Sequence, residues 1–361
     1  MMKFSLTIAL ALMVITAGCI SFPPGSSTTM PKAPGPANEG FSLPDRNGTF
    51  NCSGILWRYV LREALGCMLN EEELNALSPL AERLRGENLT RSVWNVLRWE
   101  GEELSYDYEK AREPSVRIVT HPDGHQEVIE GRNNTIQTPY ETIKRKKGVC
   151  ADYTVLTVAL LLAMNHSPVY AMEMNLTGEG HAAALVRIGG WYFFLDQHLP
   201  PMDPASYYRH WKREGRDVLN ATLYEVTIRG NKADVRVLGT VSKGWFLGQD
   251  YTVTDADVRG LALSMMSLLR DRYNLKADGS LREAGGGFPE GYGKIRRWEV
   301  TYYALADAYH PLFRDGYSEW LVSRMLSNGE LEEEIEKSDA VWIDARKEGE
   351  DLILTIYLGS S

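Results

Sequence analysis

The sequence predicts an α+β protein with a central buried helix packed on an antiparallel sheet. Three observations carry that prediction: a helical pattern from Gly54 to about Glu100, one strongly apolar run over residues 151–164, and a series of short strand-like stretches after it. In the first segment Ile55, Tyr59, Leu61 and Leu65 recur at the spacing of one helix face. So do Leu74, Leu77, Leu80 and Leu84, and then Val93, Val96 and Leu97.

Residues 115–120 and 126–130 read as strands around His121-Pro122-Asp123-Gly124, where Pro and Gly suit a turn. Gly148-Val149-Cys150 then opens the apolar run. Its length favours a helix over a strand, and its apolarity on every side requires burial. Asn165 tolerates the left-handed conformation of a helix end, and Ser167-Pro168 enforces the stop. Strands are expected at 169–174, 182–188 and 191–195, the last after the turn Gly189-Gly190, with a hairpin over 223–241 around Gly230-Asn231. Beyond about Gly248 the expectation is helical, at 257–273, 294–309 and 317–326, closing with a strand pair at 340–345 and 352–358.

The chain has 361 residues with 39 basic and 48 acidic side chains, a net charge of −9. That balance excludes a nucleic-acid partner bound through its phosphates, which needs Lys and Arg to neutralise charge. Residues 1–18 read as an export signal: Lys3 gives a positive start, residues 4–15 are apolar, and small residues Ala17-Gly18 precede Cys19. The junction resembles the lipobox of prokaryotic lipoproteins, although Thr16 stands where Leu is usual. The resemblance implies a lipid thioether on Cys19, and two acyl chains hold a protein stably on a membrane. Residues 19–50, rich in Pro, Gly, Ser and Thr, are an expected tether.

Asn-x-Ser/Thr sites at Asn47, Asn51, Asn88, Asn133, Asn175 and Asn220 suit an exported chain. The expected location is extracytoplasmic, anchored to the cell membrane, with free secretion as the alternative. In such a compartment Cys52 and Cys67, close together at the start of the folded part, are expected to pair, which stabilises by about 3 kcal/mol in the loop-entropy account. The expected organisation is signal 1–18, tether 19–50, a first folded region over 51–245, and a helical region with a terminal strand pair over 246–361.

Cys150 is the cysteine left over. It sits in the first turn of the buried helix, where free amide N–H groups and the helix dipole favour a thiolate. A working nucleophile also needs a His in reach and a third group to orient it. His181 opens one strand after Gly178-Glu179-Gly180, and Asp196 ends the next, so antiparallel pairing brings both to one edge of the sheet.

The segments Thr138–Thr154 (TPYETIKRKKGVCADYT), Gly180-His181-Ala182-Ala183-Ala184-Leu185-Val186 and Trp191-Tyr192-Phe193-Phe194-Leu195-Asp196 resemble the transglutaminase-like superfamily. Val93-Trp94-Asn95-Val96-Leu97 with Tyr106-Asp107 is similar to the helix and tyrosine that often precede that family's cysteine. The resemblance spans about residues 90–200. It implies a papain-like core with Cys150 as nucleophile, His181 as general base and acid, and Asp196 as orienting carboxylate. Asn165 departs from the family's usual Gly, which touches only a helix end. The Cys150 backbone N–H is a natural oxyanion donor, with Tyr140 or Trp99 as side-chain candidates.

The expected activity is therefore on amide bonds of peptides or proteins through a Cys thioester, hydrolytic rather than cross-linking. The alternative is a catalytically silent binding or scaffold protein on the same fold. No cofactor or metal is expected: His121 and His125 have no neighbouring cysteine pair or HExxH helix, and the glycines at 285–293 lack Walker spacing.

Overall fold

The computed structural model describes residues 52, 54–121, 126–283 and 289–361. The signal 1–18, Cys19, the tether 19–50, residues 122–125 and Gly285-Gly286-Gly287 lie outside the described residues. The described chain divides into two units, one ending at Asp250 and one beginning at Tyr251.

In the first unit, α1 (Leu61–Met68), α2 (Glu71–Leu84) and α3 (Leu89–Glu103) follow one another. Asn70 and Asn88 start α2 and α3 by accepting the N–H groups of Glu73 and Arg91. The apolar stripes Leu77, Leu80, Ala81 and Leu84, and Val93, Trp94, Val96 and Leu97, face inward and are buried. Cys52 and Cys67 are joined in a disulfide with Cα atoms 5.9 Å apart.

Short elements then lead to the central helix: β1 (Ser105–Tyr106), α4 (Tyr108–Ala111), β2 (Arg117–Thr120), β3 (Gln126–Glu130), α5 (Pro139–Arg145), β4 (Lys147–Gly148) and α6 (Cys150–Ala163). Pro139 and a reciprocal Thr138–Glu141 cap start α5, and Lys146 ends it in the left-handed conformation. In α6 every residue from Asp152 to Leu162 is buried. The helix packs on α2, α3 and α5 and on the main sheet, so no face of it meets solvent.

That sheet contains β5 (Val169–Leu176), β6 (Glu179–Ile188), β7 (Trp191–Leu195), β8 (Val218–Arg229) and β9 (Lys232–Val241). Its order is β7-β6-β5-β8-β9, and every neighbouring pair is antiparallel. While α6 packs against β5 and β6, a second layer is formed by α7 (Pro204–Arg213) and α8 (Lys243–Leu247). Tyr207, Tyr208 and Trp211 of α7 and Phe246 of α8 pack with Met172, Met174, Ala183, Leu185 and Phe194 of the strands. Burying side chains of this size contributes about 1.5–3 kcal/mol each.

The second unit comprises α9 (Asp255–Tyr273), β10 (Lys276–Ala277), β11 (Lys294–Tyr302), α10 (Leu305–Ala308), α11 (Arg314–Leu326), α12 (Gly329–Glu336), β12 (Ala340–Glu348) and β13 (Asp351–Ser360). It corrects the expected helix over 294–309. Residues 294–302 are a strand that pairs with β13 along its whole length, and the helical part is confined to α10. Trp298, Val300 and Tyr302 are buried and alternate with the less buried Glu299 and Thr301, a period of two. β-branched and aromatic side chains suit a pleated surface better than a helix. The terminal strand pair is thus the centre of a four-stranded sheet, ordered β10-β12-β13-β11.

Candidate functional site

Cys150 is the first residue of α6 and is half-buried with a free thiol. The approach to it is fixed from both sides. Upstream, β1 and β4 pair in parallel, Ser105 with Lys147 and Tyr106 with Gly148, and the Asp107 N–H donates to the Gly148 carbonyl. Downstream, the buried Asp152 carboxylate accepts from the Val149 N–H at 2.8 Å, bracing the helix start. It also accepts from the Gln137 N–H at 2.7 Å, from Gln137 Nε2 at 2.9 Å and from Lys110 Nζ at 2.6 Å. A charge this deep is tolerable only with such partners. Gly148 is required for the close approach: a Cβ there falls 2.8 Å from Asp152 Cβ.

His181 is the third residue of β6 and Asp196 follows the last residue of β7. The register pairs Ala184 with Leu195. Continued one step, it sets Asp196 opposite Ala183, diagonal to His181 on the same face, a separation that long side chains bridge. His181 Nε2 lies 2.8 Å from Asp196 Oδ2. An ionised carboxylate only accepts, so Nε2 carries the proton. Nδ1 is left for Cys150, which lies close enough to help raise the pKa of the imidazole. Trp211 lies edge-on to the His181 ring, centroids 4.8 Å apart, and restricts its rotation.

The electrostatics favour a charged pair. Burial disfavours the His181 imidazolium, but Asp196 and Cys150 together overcome it and push the pKa up to about 10. Burial likewise opposes charge on Asp196, yet His181 and the hydrogen bond from Tyr207 hold its carboxyl below the ordinary range. Asp196 receives two further donors, Tyr207 Oη to Oδ2 at 2.6 Å and Gln197 Nε2 to Oδ1 at 3.0 Å. Gln197 has a φ of 64°, a left-handed conformation costly for a non-glycine residue, and its side chain turns back onto the preceding carboxylate. Burial pushes the neighbouring His210 down to about 4 against the pull of Asp196, so it is neutral near pH 7.

A second carboxyl lies close by. Glu100 of α3 is fully buried and accepts the Thr157 hydroxyl at 2.7 Å on Oε1, while Oε2 has no partner among the described residues. Burial pushes its pKa up to about 8; the Thr157 bond lowers it and the Asp196 charge adds to the rise.

The three residues picked out from the sequence thus meet at one place. Of the two side chains considered as oxyanion donors, Tyr140 lies in the first turn of α5 and Trp99 near the end of α3. The sequence reading did not single out Asp152, Tyr207, Gln197, Trp211 or Glu100. Two carried a signal: Asp152 is an acid inside an otherwise apolar helix, and Glu100 continues the stripe Val93, Val96, Leu97. Among the described residues no cluster of His, Cys, Asp and Glu is arranged to hold a metal ion, and no helix is long and apolar enough to cross a membrane.

A family profile described as a transglutaminase-like domain matches residues 75–224. The chain is 32% identical over 310 residues to a UPF0252 protein of Archaeoglobus fulgidus, covering 85% of this chain and 90% of that one. It is 29% identical over 301 residues to a UPF0252 protein of Pyrococcus furiosus, covering 82% and 84%. Among solved structures, Legionella pneumophila LapG is similar at a TM-score of 0.25 and 14% identity, covering 49% of this chain and 92% of that one. The chain belongs to the UPF0252 family and is built around a transglutaminase-like domain.

Proposed function

We propose that this chain is a cysteine enzyme that cleaves amide bonds of peptides or proteins through a thioester on Cys150. One observation carries the reading: His181 Nε2 lies 2.8 Å from Asp196 Oδ2, and Cys150, at the start of a helix, acts on the charge of the same imidazole. In this mechanism Sγ adds to the substrate carbonyl carbon and the electron pair moves to oxygen. The helix-start amide of Cys150 supports that oxyanion. On collapse, Nδ1–H of His181 protonates the nitrogen, the C–N bond breaks and the amine departs. Water then gives a proton to Nδ1 and its oxygen adds to the thioester. The C–S bond breaks, which releases the acid and restores the thiolate. Hydrolysis is preferred over cross-linking because water needs no second channel.

The test mixes the full chain with a pool of peptides containing glutamine and backbone amides, quenches in acid and measures intact mass. A covalent acyl adduct on the wild type, absent from Cys150→Ala, is expected. Turnover that survives Cys150→Ala contradicts the assignment, and no adduct with any amide favours the silent scaffold. Adding dansylcadaverine separates the two fates, since a cross-linker transfers the acyl group to that amine.

The same reading places the protein outside the cytoplasm, tethered by lipid on Cys19. Small residues before that cysteine and the paired Cys52 and Cys67 support it. Mass spectrometry of the membrane-extracted protein tests this. A mature N-terminal Cys19 carrying a thioether lipid is expected, and an unmodified Cys19 contradicts it.

A further inference from the structure

We infer that Tyr207 is a positioning residue of this site, acting through Asp196: its hydroxyl fixes the carboxylate oxygen that receives the His181 proton donor. The inference rests on the triad reading above and adds to it a residue from a different layer of the fold. Tyr207 Oη lies 2.6 Å and His181 Nε2 2.8 Å from the same atom, Oδ2. With Gln197 on Oδ1, the carboxylate cannot rotate without losing three hydrogen bonds.

The phenol itself cannot swing away. Tyr207 is fully buried, and its ring stacks on Phe194 with centroids 4.0 Å apart and planes 7° from parallel. Four residues on along α7, Trp211 packs edge-on against His181. One face of α7 therefore holds the carboxylate with Tyr207 and the imidazole with Trp211. Burial and the adjacent carboxylate raise the Tyr207 pKa well above its ordinary value, so the phenol stays a donor. A second donor on Oδ2 also draws off its charge, which leaves the shared proton on Nε2 and keeps Asp196 ionised at lower pH.

The test is the rate of Cys150 alkylation by iodoacetamide as a function of pH, read by peptide mass spectrometry on the full chain. Tyr207→Phe keeps the ring and removes only the hydroxyl. It is expected to move the acidic limb upward by about one pH unit, about tenfold in rate on that limb, and to leave the plateau in place. In an Asp196→Asn background the same change is expected to add nothing, because its effect runs through that carboxylate. Fluorotyrosine at position 207, a stronger donor of similar size, is expected to move the limb downward, and this readout does not depend on the folding of the Phe variant.

An unmoved limb in Tyr207→Phe, in a protein whose alkylation still depends on His181, overturns this inference and leaves the triad standing. An equal shift in the Asp196→Asn background also overturns it, since a packing role produces that result. If His181→Ala alkylates like wild type at every pH, the triad reading and this inference fall together.

Discussion

The Asp152 carboxylate, two residues after Cys150, holds the Lys110 ammonium at 2.6 Å with the acid fully buried and the base nearly so. This pair ties the start of α6 to a segment some forty residues upstream, while the Gln137 bonds tie in the irregular segment just before α5. The position of Cys150, the proposed nucleophile, is therefore set by Asp152 and its partners. Breaking a buried pair from one side leaves a stranded charge, which costs about 3–5 kcal/mol. Asp152→Ala should lower the urea unfolding free energy by that order and slow Cys150 alkylation. Asp152→Ala with Lys110→Met should recover part of the loss.

Gly148 gives a sharper version of the same constraint. Its missing Cβ leaves room for Asp152 Cβ, with Thr142 Cγ2 at 3.3 Å on the other side. Gly148→Ala must push one of these buried groups, and overpacking of this kind costs about 1–3 kcal/mol. Denaturant melts are expected to show that loss, and alkylation of Cys150 should fall in the folded variant.

The pH dependence of stability has a defined sign for each buried group. His181 is raised from 6.5 to about 10, so its contribution is complete below the unfolded value and is lost as pH rises through about 10. Asp196 is lowered from 3.8, so its contribution is present above that value and is lost as pH falls through the folded one. Glu100 is raised from 4.5 to about 8: the fold favours its neutral form, and stability drains away as pH rises between those values. Glu100→Gln mimics the neutral acid. Its stability should match wild type near pH 5 and exceed it increasingly toward about pH 9, as unfolding midpoints at both ends can show. A constant difference across that range contradicts the assignment.

The Cys52–Cys67 disulfide closes a loop with a sequence separation of 15 residues. The chain-entropy account gives about 3 kcal/mol for that length. Cys52→Ser with Cys67→Ser should lower stability by that order and leave Cys150 alkylation of the folded protein unchanged, because neither residue bonds to the triad.

How much of this was legible depends on where each side chain finds its partners. The central helix, the strand carrying His181 and the strand ending before Asp196 are legible because period and punctuation are local: an apolar run interrupted only by Asp152 among charged residues, then Asn165, then Gly189-Gly190. The strand at 294–302 is not legible from local pattern. Tyr302 and Tyr309, seven apart, match a helical spacing, while Trp298, Val300 and Tyr302 alternate as in a strand, and the pairing with β13 that decides the matter lies 50 to 66 residues away. Helix α7 is not legible in the sequence because it buries Tyr207, Tyr208, His210 and Trp211 in place of aliphatic residues. Its role at the site could not be read from spacing: Tyr207 finds Asp196 only once the second layer has packed on the sheet. Gln197 reads as an ordinary turn residue until its left-handed backbone and its bond to Asp196 are seen together.

If Cys150 and His181 work as one unit, the rate of iodoacetamide alkylation near pH 6 must differ between wild type and His181→Ala. A fall of about tenfold or more in the variant is expected, because the imidazole no longer supports the thiolate. Equal rates in two equally folded proteins would contradict it.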